Sequence, residues 1–261
     1  NLGMKYRYSG STLGTNVDPV VNQTTGNGLI NNRPSGPRCT TDEYYAHFSD
    51  PNDIRNNQWL TGPQYWNTGN PILVRTTNLG YDQFYAGPSP AASYTYHLTI
   101  SPLGNGTRFG ANSFDLGKDE LAWNTGYRNI KFLPDPVSTT RNQNNDMPVF
   151  RLSDIILMKA EAILRGGTPT NGHTALSLVN TLRAVRTTTA PLASVDLNFV
   201  YSERCRELSW ECWHRNDMIR FGRFEDPWGL GKTNTDTYRR LFPITTGARA
   251  VNPNLTQNTG Y

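Results

Sequence analysis

Apolar positions between residues 201 and 222 recur at a helical period. At about 100° per residue, Tyr201, Cys205, Leu208, Cys212 and Ile219 share one stripe, and Trp210, Trp213 and Phe221 share another roughly opposite it. The run 203–222, ERCRELSWECWHRNDMIRFG, has no proline and no glycine before its last residue. The pattern predicts one continuous helix, apolar on two sides and therefore buried on two sides. Its charges also keep helical spacing: Glu211 with Arg215 four apart, and Glu203 with Arg206, Arg204 with Glu207, and Asp217 with Arg220 three apart. Glu203, Glu207 and Glu211 form a like-charge row, which costs stability unless basic groups from elsewhere cover it. Such a row fits a catalytic carboxylate cluster or a structural ion network, and the pairing register favours the network.

Residues 152–164 read as a second helix, apolar nearly all round, with Asp154, Glu161 and Arg165 on one polar edge, Ser153 as a cap, and Gly166 and Gly167 ending it. A third spans 174–186, with Ala175, Leu178, Leu182 and Val185 as its core stripe. The short connection predicts an antiparallel pair. Earlier, Thr41 caps a short helix over 42–48, and 49–55 is a turn. Alternation at Met4, Tyr6 and Tyr8 predicts a half-buried strand; 72–74 and 94–100 predict two more. Residues 236–241 suggest a short helix, and the tail after them has almost no regular pattern, though its Asn and Gln side chains are expected to order it by bonding backbone groups.

Composition narrows the classes. The chain has 261 residues, 18% charged and 11% aromatic, with 23 Gly and 17 Pro: a globular chain rich in loops. The net charge of +4 is scattered with no Lys/Arg run, which argues against a nucleic-acid groove. No stretch approaches the length of a membrane span. Cys205 and Cys212 lie seven residues apart on the expected helix, too far for a disulfide, and read as small core residues. His47, His97, His173 and His214 are isolated, so no metal-ligand spacing and no cofactor motif emerges.

Residues 58–146 are rich in aromatics and poor in charge, broken by Gly, Pro and Asn. Aromatics in such loops either plug the core or form a platform on which a sugar ring stacks. Trp59, Tyr65 and Trp66, in WLTGPQYW, with Tyr6 and Tyr8, are the candidate ligand-binding residues. The same chemistry would suit an extended peptide. The loop acids Asp82, Asp115, Asp119 and Glu120 have no evident basic or nucleophilic context, unlike the paired carboxylates of a glycoside hydrolase. A pure scaffold module is the third alternative.

Four stretches resemble the SusD/RagB family. Glu203, Arg204, Glu207, Leu208, Glu211, Asp217, Arg220 and Gly222 match E-R-x-x-E-L-x-x-E-G-x-R-x-x-D-L-x-R-x-G, with Cys212 in place of Gly and His214 in place of Arg. Arg151, Asp154, Leu157, Met158, Ala160, Glu161 and Ala162 match R-x-x-D-x-x-L-M-x-A-E-A, and Asn180, Arg183 and Arg186 match N-x-x-R-x-x-R. The ending with Pro243, Ile244, Asn252, Pro253, Leu255, Gln257, Asn258, Gly260 and Tyr261 is similar to the family's C-terminus. Both departures fall inside the expected helix. The resemblance implies a mainly α fold with extensive loops and a few short strands, on a tetratricopeptide-like scaffold. Residues 1–146 would be the loop-rich ligand-facing region and 147–261 the helical signature region of a longer chain. It further implies a non-catalytic, surface-exposed outer-membrane lipoprotein that binds glycans, or peptides in some members, for a SusC-like TonB-dependent transporter, with its lipid anchor upstream. Arg151, Arg183 and Arg186 are then the groups expected over the glutamate row, in one ion network with Glu161, Arg204, Asp217 and Arg220.

Overall fold

The computed structural model describes residues 39–63, 71, 73–76, 94–97, 99–100, 102, 126–129, 131, 146, 148–228 and 232–261. Its described part is mainly helical with a few short strands. The strand expected at 4–8 lies outside these residues.

Helix α1, Asp42–Tyr45, is a single turn. The Thr41 hydroxyl accepts the Tyr44 N–H at 3.3 Å, and Asp42 and Glu43 complement the exposed N–H groups of that turn. A 3-10 turn follows at Ile54–Gln58, capped by the Asp53 carboxylate, which accepts the Arg55 N–H. Among the described residues the strands form three separate antiparallel pairs. β1 (Trp59–Leu60) lies beside β6 (Arg128–Asn129), β2 (Gly62–Pro63) beside β5 (Thr99–Ile100), and β3 (Leu73–Thr76) beside β4 (Tyr94–His97). The stretch expected as one strand over 94–100 thus serves two partners.

The main core lies among α2 (Leu152–Leu164), α3 (Ala175–Arg183) and α4 (Leu197–Glu207). Leu157 and Ala160 meet Leu178, Val179, Leu182 and Val200, all buried. Thr174 and Ser177 close a capping box at the start of α3, at 3.0 and 2.9 Å. That helix stops at Arg183, three residues before the expected end, so Val185 is 62% exposed instead of completing the stripe. Ser153 does not cap α2; the cap position is Arg151, and Ser153 is buried in the first turn. The polar edge of α2 is its inner edge. Asp154 and Glu161 are buried, while Leu152, Ile155 and Met158 face outward. This inversion is tolerable because guanidinium groups meet both acids from the core side.

The helix expected over 203–222 is two helices. α4 ends at Glu207, and α5 runs His214–Arg220. Between them Trp210 and Cys212 adopt left-handed backbone, at φ 61° and 67°. Cys212 stands where the family signature has glycine, the residue that takes this conformation without steric cost. It is not helical, and it is exposed rather than a core residue; Cys205 is buried, and both thiols are free. Two expected pairs are absent, Glu211–Arg215 across the break and Arg204–Glu207 within α4. Glu211 turns toward Lys131 and Arg151, leaving Arg215 to donate to the Arg239 and Arg240 carbonyls, and Arg204 pairs with Asp154 and Asp217 instead of Glu207.

The tail has more regularity than its pattern suggests. A 3-10 turn at Thr237–Arg240 and a six-residue helix, α6 (Thr246–Val251), precede the last ten residues. The Gln257 amide pins both the N–H and the carbonyl of Ile244, at 2.8 and 2.9 Å, and Asn258 and the Tyr261 hydroxyl reach the Phe242 and Leu241 carbonyls. At Gly260, φ 99°, a Cβ would meet the Tyr238 ring at 2.4 Å, so only glycine lets the tail close there.

A left-handed L-residue costs about 1–2 kcal/mol. Cys212→Gly should therefore raise stability by about 1 kcal/mol, less the extra chain entropy of glycine. The denaturant midpoint measures this; a lower midpoint would show that the thiol contributes more than the backbone strain costs.

Candidate functional site

Two buried ion clusters occupy the space between the helices. In the first, Glu207 accepts from three guanidinium groups. Arg151 and Arg186 reach one oxygen at 2.6 and 3.0 Å, and Arg55 reaches the other at 2.9 Å. Arg55 also binds Asp53 at 2.6 Å and Glu203 at 2.9 Å. Glu203 is fully buried and takes two further bonds from Arg206, at 3.0 and 2.6 Å, with Arg183 at 4.0 Å. Glu211 is held by Arg151 at 2.8 Å and by the Lys131 ammonium, which also donates to the Glu207 and Ser209 carbonyls. The glutamate row is thus covered from the cap of α2, from the residues just after α3, from the 3-10 turn and from Lys131, two residues after β6.

The second cluster ties α2 to α4 and α5. Arg204, 1% exposed, joins Asp154 at 2.7 Å to Asp217 at 2.9 Å. Arg220 joins Asp217 at 2.8 Å to Glu161, which it grips with two bonds at 2.9 Å, and Arg165 completes the set. Planar guanidinium forks suit this bridging, since each can bind two carboxylates or one carboxylate twice. Burial alone would push the Glu207 carboxyl up; hydrogen bonds from Arg186 and Arg151 and the Arg151 and Arg55 charges outweigh it and hold the group well below the usual carboxylate range. A carboxylate so held is a poor general base. Removing Glu207 takes a shared partner from three cations, leaving Arg55 with Asp53 and Glu203 and Arg151 with Glu211, so Glu207→Ala should lower unfolding stability by about 3 kcal/mol in denaturant titration. An unchanged midpoint would contradict a structural role.

Beside the first cluster lies a cavity of about 720 Å³, bounded by α1, by α4 and α5, by the 208–213 turn and by residues 223–228. Tyr44, Tyr201, Trp210 and Trp228 bring aromatic surface to it. Tyr44 is fixed there by its hydroxyl, which donates to the Cys205 carbonyl at 2.8 Å. Arg223 donates to the Asn198 amide oxygen at 2.6 Å and pairs with Asp226 at 3.4 Å. The Arg215 guanidinium sits over the Phe224 and Phe242 rings, at 5.1 and 4.2 Å.

Two histidines line the same cavity. His47 Nδ1 lies 3.1 Å from the Ser202 hydroxyl, and the His214 ring stands edge-on to Tyr44 at 4.7 Å. Burial, aided by Arg206, lowers His47 to about 4; burial lowers His214 to about 4. Both are therefore neutral at pH 7. Their unfolded counterparts titrate near 6.5, so the stability they contribute is complete above that pH and is lost as pH falls toward 4. The urea midpoint of the wild type should drop between pH 6.5 and 4.5, above the range where the depressed carboxylates respond. The His47→Gln, His214→Gln double variant should be flatter there, and equal slopes would contradict the assignment.

The aromatics read as a platform fare differently. Trp59 is 5% exposed and packs in the core against Tyr44, Tyr45 and Phe48, with ring centroids 5.2–6.4 Å away, so it has no face free for a ligand. Pairing of β1 with β6 is what draws it inward. Tyr6, Tyr8, Tyr65 and Trp66 lie outside the described residues. The Glu203–Arg206 pair read from its spacing is present at 2.6 Å, but the sequence reading did not place Lys131 over the glutamates, nor His47, His214, Trp210 and Trp228 around one cavity. Lys131 carried no local signal.

The comparisons with known proteins agree with this helical frame. The SusD family profile matches residues 39–261. Starch-binding protein SusD of Bacteroides thetaiotaomicron is 30% identical over 176 residues, 63% of this chain and 30% of its own. SusD-like protein P25 of Formosa agariphila is 29% identical over 198 residues, 68% of this chain and 34% of its own. The chain thus spans about a third of the length of these curated relatives. Among solved structures, a laminarin binding SusD-like protein aligns over 52% of this chain and 29% of its own, at 26% identity and TM-score 0.39. With the profile covering the cavity and both ion clusters, the chain belongs to the SusD family.

Proposed function

We propose that this chain is part of a non-catalytic glycan-binding protein of the outer-membrane surface. Such a protein would be tethered by a lipid anchor carried upstream and would pass its ligand to a SusC-like TonB-dependent transporter. The observation that carries this is the family match over residues 39–261. In this reading α2 and α3 belong to a tetratricopeptide-like scaffold, residues 147–261 form the helical signature region, and residues 1–146 supply ligand-facing loops. The name of one relative, starch-binding protein SusD, points to a neutral glucan as the first ligand to try.

The non-catalytic reading has chemical support. Glu203, Glu207, Glu211, Asp154, Asp217 and Glu161 each meet at least one cationic side chain, and Glu207 is kept ionised far below the range of a general acid. Glycoside hydrolysis needs one carboxyl group that holds its proton near neutral pH; burial pushes Asp217 up, but Arg204 and Arg220 both bind it.

Calorimetric titration with soluble starch, laminarin and a mixed peptide digest tests the proposal. Saturable heat with a glucan, the glucan remaining intact, is expected. Heat from the peptides alone would move the function to peptide capture, and newly formed reducing ends would replace binding with hydrolysis.

A further inference from the structure

The cavity between α1, α4 and α5 combines three features that together specify a ligand chemistry. Its size, about 720 Å³, falls within the range that encloses a small organic ligand and leaves room for more than one sugar ring. Its walls present apolar ring surface from the half-buried Tyr44, Trp210 and Trp228, backed by Tyr201, which is buried in a core cluster with Cys205 and Met218; the C–H face of a pyranose packs on such surface. Among that surface stand short, uncharged hydrogen-bonding groups: the Asn198 amide, whose oxygen is engaged by Arg223 while its nitrogen can still donate, the Ser202 hydroxyl and the His47 and His214 imidazoles. A neutral imidazole donates at one nitrogen and accepts at the other, which matches a hydroxyl that does both.

The charges lining the cavity cancel. Glu43 and Asp226 are set against Arg215 and Arg223. Arg223 is already paired with Asp226 at 3.4 Å, and Arg215 is committed to two backbone carbonyls and two rings. A uronic or sulfated sugar would meet the Asp226 and Glu43 carboxylates, while the Lys232 ammonium, 4.7 Å from the Trp228 ring, is already bound to the Phe224 and Asp226 carbonyls. An uncharged sugar meets no such conflict.

From this we infer that the cavity is a binding pocket for a short, neutral oligosaccharide, stacked on its aromatic walls and held through Asn198, Ser202 and the histidines. The inference rests on the glycan-binding reading and adds to it a location and a charge class. It places the pocket on the signature helices themselves.

The test is calorimetric titration of this chain and three variants with maltoheptaose and laminarihexaose as neutral probes and oligogalacturonate as the acidic one. Trp228→Ala removes a ring of the wall, and Asn198→Ala removes a hydrogen-bonding group while keeping the rings. Trp213→Ala removes an indole that does not line the cavity. Each variant is first matched to the wild type by its melting curve; Asn198→Ala still decides the question where Trp228→Ala fails to fold. Expected is binding of a neutral probe that weakens at least tenfold in Trp228→Ala and Asn198→Ala and holds in Trp213→Ala. Neutral-probe binding unchanged in the first two overturns the pocket and leaves the glycan reading standing. Preference for oligogalacturonate overturns the charge class. Silence of the wild type with all three probes overturns the pocket, and the starch and laminarin titrations then decide the broader reading separately.

Discussion

Everything else in the described structure is arranged around Glu207 and the three guanidinium groups that meet it. Arg151 begins α2, Arg186 follows α3, and Arg55 lies in the 3-10 turn after Asp53. One carboxylate therefore fixes the positions of three segments distant in sequence. Burying so many charges is costly, and an apolar core of the same volume is often at least as stable. What ions contribute that apolar contacts cannot is direction. A guanidinium accepts few orientations of its carboxylate, so α2 and α4 can lock in one register. The second cluster repeats the device with Arg204 between Asp154 and Asp217, anchoring α5.

That anchoring explains the break between α4 and α5. Glu211 must turn back to reach Arg151 and Lys131, while Asp217 must reach Arg204 and Arg220. The chain satisfies both by leaving the helix at Leu208 and re-entering at His214, through two left-handed residues. The turn carries Trp210 and Cys212 to the cavity edge, and α5 brings His214, Arg215 and Met218 to its wall. The ion network and the cavity are thus connected: the electrostatics of one face of α4 shape the concave surface beside the other.

How much of this was readable in the chain follows from what kind of signal each part carries. The extent of α2 was legible because thirteen residues keep a helical period before two glycines. Which side of it faces inward was not, since Asp154 and Glu161 look solvent-bound until Arg204 and Arg220 arrive from a different helix. The break at 208–213 was hidden because Cys212 occupies a glycine position without being glycine, so no residue announced the left-handed turn. Trp59 looked like a loop aromatic because β1 is two residues long and pairs with a strand nearly seventy residues away. The cavity was invisible for the same reason: Tyr44, Tyr201 and Trp228 are distant in sequence and share no period.

The buried carboxylates hold the fold, and recognition falls to the cavity. A single titration of the isotopically labelled chain with laminarihexaose, followed by two-dimensional amide and indole NMR, addresses both halves at once. The predicted result is a set of perturbations centred on the Trp210 and Trp228 indoles and on Asn198 and Ser202, with the sugar's anomeric signals unchanged over time. Perturbations centred on Glu203, Glu207 and Glu211, or the growth of new reducing-end signals, would contradict it.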